Sequence, residues 1–285
     1  MINDVALSRN RTVVCYADDT SLLDINGDLA DLHELMQASE GTVADWFRAN
    51  RFLLNSKKTQ SIVFSLKNGD QFNFPSVKLL GFTMDRKLAW GDHIQGVCCR
   101  LNRVLFLLRS LRGCIPGAHH RMCYFAFFHS VMAYGITLWG GAAEVKRILL
   151  VQKKAIRILC GADYLANCKP LFVREHIMTV FNLYIYRSAI AAFRGLVALP
   201  TDFHRHDTRN RHRLNLPYCR LGRTQNSLAY QPVRILNKLP ISARGLPEVV
   251  LRRRLRTFLH ENPFYSLREF FECDTATNGV QEYSG

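Results

Sequence analysis

No two of the nine cysteines stand at Cys-x-x-Cys spacing, and their number is odd. That excludes a closed disulfide framework and a zinc site built on paired thiols. Cys98 and Cys99 are neighbours, and the thiols read as reduced ones in an intracellular protein, nuclear, cytoplasmic or both. His204, His206 and His212 have no cysteine near enough to complete a metal set, so their stretch reads as a solvated basic loop. Internal repeats and low-complexity tracts are missing too. A secretory leader is not expected, because Asp4 and Arg9 interrupt any apolar run at the N-terminus. Only Met122 to Ala143 approaches the roughly 20 uncharged residues that a bilayer-spanning helix needs. His129, Ser130 and Thr137 interrupt it and Trp139-Gly140-Gly141 looks like a turn, so a buried helix and turn are expected, with no membrane partner.

Acid is what the second part of the chain lacks most. Residues 1–92 carry 10 Lys and Arg against 12 Asp and Glu, whereas the remainder carries 28 against 11. An acidic front and a strongly basic back point to a polyanion held by the later part.

What is present divides along the same line. Val13–Tyr16 and Thr20–Leu23 predict a hairpin, and Leu29 to Phe52 a helix with Leu32, Leu35, Met36, Val43, Trp46 and Phe47 on one stripe, capped by Asp28 or Asp31. Ser61–Ser65 and Val77–Met84 predict strands, the second carrying Gly81 inside it, with a turn at Lys67–Asp70 between them. From Asp92 the pattern is helical. Val97, Leu101, Val104, Leu105, Leu108 and Leu111 form one stripe, with Arg100, Arg103 and Arg109 off it. In Val145–Cys160 the residues Ile148, Leu149, Ala155, Ile156 and Leu159 share a face opposite Lys146, Arg147, Lys153, Lys154 and Arg157. A solvated face usually mixes signs; this one carries cations alone after Glu144 and suits phosphate. Beyond Pro200 the chain turns loop-rich up to a short helix near Val249–His260.

The residues that carry chemistry stand in the first hairpin. "VVCYADDTSLL" sets Asp18 beside Asp19 at a tight turn, where like charges repel. Aspartate favours turns for its own conformational reasons; a pair of them can also grip a divalent cation.

Tyr16-Ala17-Asp18-Asp19 with these flanks resembles the catalytic hairpin of reverse transcriptases. "LNSKKTQSIVF" resembles the Asn-x-x-Lys-Thr segment that follows it, and "VKLLGFTMDRKLAWGDHI" the primer-grip hairpin, in the form typical of non-LTR (LINE-like) retrotransposons. "YGITLWGGA", "LLVQKKAIRILCGA", "QPVRILNKLPISAR" and "LRRRLRTFL" resemble later parts of the same reading frames, in family order. The resemblance implies an α+β fold: a partial polymerase palm of antiparallel strands and a helix over residues 1–92, and a helical thumb and basic helical region over 93–200. A basic C-terminal segment over 201–272 and a disordered tail over 273–285 would follow. "IND" at Ile2–Asp4 resembles the segment just before the catalytic hairpin, so the fingers and another metal-binding aspartate are expected to be absent.

By the same resemblance, Asp18 and Asp19 are metal ligands and catalytic, holding Mg²⁺ (or Mn²⁺) at the primer end. Lys58 would sit near the leaving phosphates, or else be a surface lysine at a strand entrance. Tyr16 and Ala17 would shape the hairpin beside the primer. Leu80, Gly81 and Phe82 would press on its backbone, and Lys146, Arg147, Lys153, Lys154 and Arg157 would track nucleic acid. The implied partners are an RNA template, a DNA primer and, for a complete enzyme, dNTPs. The expected function is RNA-directed DNA polymerase, inactive as this chain alone; the alternative is a non-catalytic nucleic-acid-binding remnant.

Overall fold

The computed structural model describes residues 12–55, 57–65, 76–195, 214–216 and 218–273. The Ile2–Asp4 segment, the Lys67–Asp70 turn, the loop with His204, His206 and His212, and the tail from residue 274 lie outside them. The fold is α+β, helices with two small antiparallel sheets. The chain divides after Ser61 into two compact units, which groups residues 77–84 with the helices that follow.

In the first unit β1 (Thr12–Tyr16) pairs with β2 (Asp19–Leu23), Tyr16 opposite Asp19. Helix α1 (Leu29–Ala49) begins where Asp28 Oδ1 accepts from the Ala30 and Asp31 amides at 2.7 and 3.3 Å, satisfying donors that have no partner within the helix. It ends at Arg51, whose φ of 59° reverses the chain. Phe52 N–H then reaches Phe47 C=O at 2.8 Å and Arg51 N–H reaches Arg48 C=O at 3.0 Å. This is a Schellman stop, sealed by Phe52 against Trp46 and Phe47. The expected stripe on α1 is only half-buried; Ser39, bonded to Asp24, is the helix's one buried residue.

The second unit holds the core. Strands β3 (Val77–Leu79) and β4 (Phe82–Met84) form a hairpin with Leu80 and Gly81 at its turn. Gly81 therefore lies at a bend between two strands, not inside one. Residues 61–65, expected as a strand, join no ladder among the described residues.

Asp85 leads the chain into α2 (Gly91–Leu111), accepting from Lys87 and Ala89 at 3.0 Å and from Trp90 at 2.8 Å. The stripe expected on α2 is the buried one, with Val97, Leu101, Leu105 and Leu108 at its centre. The uncharged stretch becomes the end of α3 (Gly117–Cys123), a π-helical turn (Tyr124–His129), α4 (Ser130–Ala133) and α5 (Ile136–Trp139). Tyr124, Phe128, Met132, Ile136 and Trp139 are buried in it, as expected of a folded-back helix. No described helix is long and apolar enough to cross a membrane.

Helix α6 (Val145–Cys160) has the bounds its pattern predicts and stops at Gly161, φ 63°. It is followed by α7 (Cys168–Arg174) and α8 (Val180–Phe193), whose residues are buried nearly all round. Two amides knit this core. Gln152 bonds Tyr124 Oη, the Met178 carbonyl and the Val180 amide at 2.9–3.0 Å. Asn182 holds the Leu259 and Asn262 carbonyls and the Phe264 amide. Helices α9 (Gly222–Gln225), α10 (Gln231–Lys238), α11 (Ile241–Arg244), α12 (Glu248–Glu261) and α13 (Leu267–Glu272) complete the unit.

Candidate nucleic-acid interface

A two-residue turn, Ala17-Asp18, joins β1 to β2. Ala17 has φ 52°, a conformation that costs an L-residue about 1–2 kcal/mol. Tyr16, Ala17, Asp18 and Asp19 are all exposed. Strain at a solvent-facing turn carrying paired acids is the kind of arrangement that collects at working sites. Among the described residues no group of three or more His, Cys, Asp or Glu is placed to hold a metal ion. The hairpin's two carboxylates stand as a pair.

Lys58 is exposed and lies in a turn, and the described residues 59–65 after it form no strand, which corrects the expected strand entrance. The Asn55 carbonyl organises that turn, accepting from the Lys58 amide at 3.0 Å, the Thr59 amide at 3.1 Å and Thr59 Oγ1 at 3.2 Å.

The β3–β4 turn is the second strained tip. Leu80 and Gly81 have φ 47° and 81°, the doubly left-handed geometry that suits a hairpin's twist, with leucine where glycine or asparagine is usual. Both are exposed. Phe82 instead turns inward, stacking on Tyr134 at 4.9 Å and lying against Trp90 and His93. His93 is 3% exposed, accepts from the Thr83 amide through Nδ1, and has its pKa lowered by burial and then by Arg100. A neutral ring there can accept that bond.

On α6 the cationic face divides. Lys146, Arg147 and Lys154 are exposed, whereas Lys153 and Arg157 are half-buried. Lys153 Nζ sits 3.6 Å over the Tyr265 ring, and burial pushes its pKa down. Arg157 gives two N–H groups to the Ala166 carbonyl at 2.9–3.0 Å. Arg147 pairs with Glu144 at 3.6 Å and bonds Gln95 on α2. At the far end of α2, Arg112 reaches the Gly161 carbonyl. Gln95 beside Arg147 and Arg112 beside Gly161 mean that α2 and α6 run side by side in the same direction.

This pairing brings in residues that sequence reasoning left out. On α2 Gln95, Cys99, Arg103 and Phe106 are exposed, and on the adjoining α6 so are Arg147, Leu150 and Lys154. Phe106 and Leu150 are 73% and 58% exposed. The signal was available: between Asp92 and Asp163 the only acid is Glu144, against ten Lys and Arg.

Over 194 residues, 63% of its length, the chain is 24% identical to a probable RNA-directed DNA polymerase from transposon X-element of Drosophila melanogaster. It is 26% identical over 189 residues to that of transposon BS, and 24% over 186 residues to the RNA-directed DNA polymerase of mobile element jockey, from the same organism. The chain is a relative of non-LTR transposon reverse transcriptases. The matched stretch spans about a fifth of those relatives, 19–21% of their lengths. No family model and no solved structure matches it.

Proposed function

We propose that the chain is a reverse-transcriptase segment that grips an RNA template and a DNA primer and contributes carboxylates to the metal site at the primer end. The observation that carries this reading is the pair Asp18–Asp19, exposed on a two-residue turn whose first residue, Ala17, is held at φ 52°. Mg²⁺ takes hard oxygen ligands, commonly one or two carboxylates together with water and phosphate, and two solvent-facing carboxylates fit that demand. Asp18 is the more direct ligand and Asp19 supports it. Bound there, Mg²⁺ or Mn²⁺ supplies neutralisation of charge on the attacking and leaving oxygens.

The chain's own residues do the rest. Tyr16 and Ala17 shape the hairpin beside the primer terminus, and the Lys58 ammonium stands toward the leaving phosphates. Leu80 and Gly81 press on the primer backbone, while Phe82 anchors their turn from inside. Lys146, Arg147 and Lys154, with Arg103 of α2, track phosphates; Lys153 and Arg157 add field from behind. Such contacts give affinity that falls with salt and shows little sequence preference.

Two adjacent acids are a small ligand set for a two-metal site. By itself the 285-residue chain is therefore proposed to bind template–primer without extending it. Primer extension with RNA template, dNTPs and Mg²⁺ or Mn²⁺ tests this. No extension, with salt-sensitive binding unchanged in Asp18→Asn, is the expected result; extension abolished by Asp18→Ala overturns the inactivity. The same binding measurement serves the alternative, a purely non-catalytic nucleic-acid-binding protein, which the exposed cations Lys146, Arg147 and Lys154 of α6 favour. Mn²⁺ binding lost in Asp18→Asn separates the two.

A further inference from the structure

We propose that α12, with α8 and α3 beside it, carries a second track for nucleic acid, one that grips the phosphates of a strand and uses none of the α6 cations. Glu248 and Glu261 stand at the two ends of α12, and between them the helix carries four arginines and no acid. Arg252, Arg256 and His260 follow one another at intervals of four, and positions so spaced share a helix face. Contacts with other elements fix where that face looks. Arg252 Nε donates to Tyr186 Oη of α8 at 3.3 Å, and the Arg256 guanidinium lies 5.6 Å from the centroid of the same ring. Farther along, the His260 ring stands 6.0 Å from that of His176, in the turn after α7.

Arg121 of α3 extends the patch. Its charge acts on His260, and its guanidinium lies 4.9 Å over the Phe125 ring. That ring is 5.3 Å from His129, on which Arg187 of α8 acts in turn. Arg187, Arg256 and His176 are exposed, while Arg121 and Arg252 are half-buried.

The positive potential here is uncompensated. After burial, the charges that act on His260 are those of His176, Arg256 and Arg121, and the one that acts on His129 is that of Arg187; all of them lower the pKa. Glu248 is held by Arg194 and Arg252, and Glu175 by Arg174. Among the described residues no carboxylate pairs with Arg121, Arg187 or Arg256. Guanidinium forks match phosphate oxygens. Cations set in a line along a helix suit a polymer whose charge repeats along its length, whereas a lone phosphate or headgroup calls for cations that converge on one point. Backbone contacts of this kind give affinity without base preference. The track lies on helices other than α6, so it does not depend on the grip proposed above.

Fluorescence anisotropy of the full chain with labelled oligothymidylate, over a range of KCl concentrations, provides the test. Arg187→Gln/Arg256→Gln should lower the slope of log affinity against log salt by about two units, one for each phosphate contact. Arg187→Lys/Arg256→Lys should keep most of it. Arg48→Gln/Arg268→Gln removes the same charge from exposed ion pairs elsewhere and should leave the slope unchanged. Lys146→Gln/Lys154→Gln should retain salt-dependent binding that the further change Arg187→Gln/Arg256→Gln removes. Two results overturn the second track and leave the α6 grip standing: complete loss of binding in Lys146→Gln/Lys154→Gln alone, or an effect of Arg187→Gln/Arg256→Gln no larger than that of Arg48→Gln/Arg268→Gln. Binding unmoved by Lys146→Gln/Lys154→Gln but lost in Arg187→Gln/Arg256→Gln removes the α6 grip and supports this track. Phosphatidylserine vesicles bound through Arg187 and Arg256, with oligothymidylate not bound there, overturn it in favour of a membrane surface.

Discussion

The Tyr134 hydroxyl donates to the Leu80 carbonyl at 2.6 Å, across 54 residues of sequence. The same phenol ring stacks on Phe82 at 4.9 Å with 9° between the planes. One side chain thus fixes both the strained tip of the β3–β4 hairpin and the residue that anchors it. Tyr134→Phe keeps the stack and deletes the bond. It is expected to destabilise the second unit by about 1 kcal/mol, the usual net worth of a hydrogen bond. Faster amide exchange at Leu80 and Gly81 should accompany a small fall in Tm.

Gly135 is a harder constraint. Its φ is 57°, and a Cβ built there runs into the Phe82 ring. Gly135→Ala combines left-handed strain of about 1–2 kcal/mol with overpacking of about 1–3 kcal/mol. Gly81→Ala carries the strain alone, because its added Cβ would meet Tyr134 at an ordinary 3.6 Å. Urea unfolding should therefore rank Gly135→Ala well below Gly81→Ala, with Gly81→Ala near 1–2 kcal/mol below the parent, about the strain term by itself.

Much of this architecture was legible because it depends on local periodicity. The bounds of α6 follow from cations alternating with apolar residues, and from Gly161 supplying the left-handed stop. Asp28 announced α1 by offering a side-chain oxygen to amides two and three residues ahead. What stayed hidden depends on partners distant in sequence. Residues 61–65 have a strand's composition, and no window of sequence says whether a second strand lies alongside. Lys153 and Lys154 look alike on a helical wheel, yet Tyr265 captures only the first. The turn at Leu80-Gly81 reads as continuous strand until two successive positive φ values break it. For the candidate site, the acids of the first hairpin were visible as a motif, whereas the side-by-side packing of α2 and α6 depends on contacts distant in sequence.

The division of α6 cations is measurable. Each phosphate contact contributes about one unit to the slope of log affinity against log salt concentration. Lys154→Gln and Lys146→Gln should each lower that slope by about one unit and leave Tm nearly unchanged, as expected for exposed side chains. Lys153→Gln should do the opposite. It removes a cation from the Tyr265 ring, a contact worth about 0.5–2 kcal/mol, while the slope changes little. Fluorescence anisotropy with an RNA–DNA duplex between 50 and 300 mM KCl reads the slopes, and thermal denaturation the stabilities. Equal slope changes for Lys153 and Lys154 would show that the buried-side lysine reaches nucleic acid after all.

Three histidines make stability depend on pH with the same sign, one of them His93, whose pKa burial and then Arg100 lower. Burial, with Arg187 next in size, pushes His129 down to about 4. Burial, then His176, Arg256 and Arg121, push His260 down to about 4 as well. Both start from an ordinary value of 6.5, so the folded state favours the neutral ring and the unfolded state takes up the protons. Their contribution is fully present above pH 6.5 and is lost as pH falls toward 4. After discounting for partial solvent screening, each should account for about 1 kcal/mol between pH 7 and pH 5. Arginine keeps its charge throughout, and most carboxylates titrate below that window. Urea unfolding at pH 7.5, 6.0 and 5.0 should show the parent losing stability stepwise. His260→Asn should flatten the profile in part while costing little at pH 7.5, because the neutral ring's Nδ1 has no hydrogen-bond partner to lose. A parent profile that is flat, or that rises toward pH 5, would mean that these imidazoles are charged in the fold.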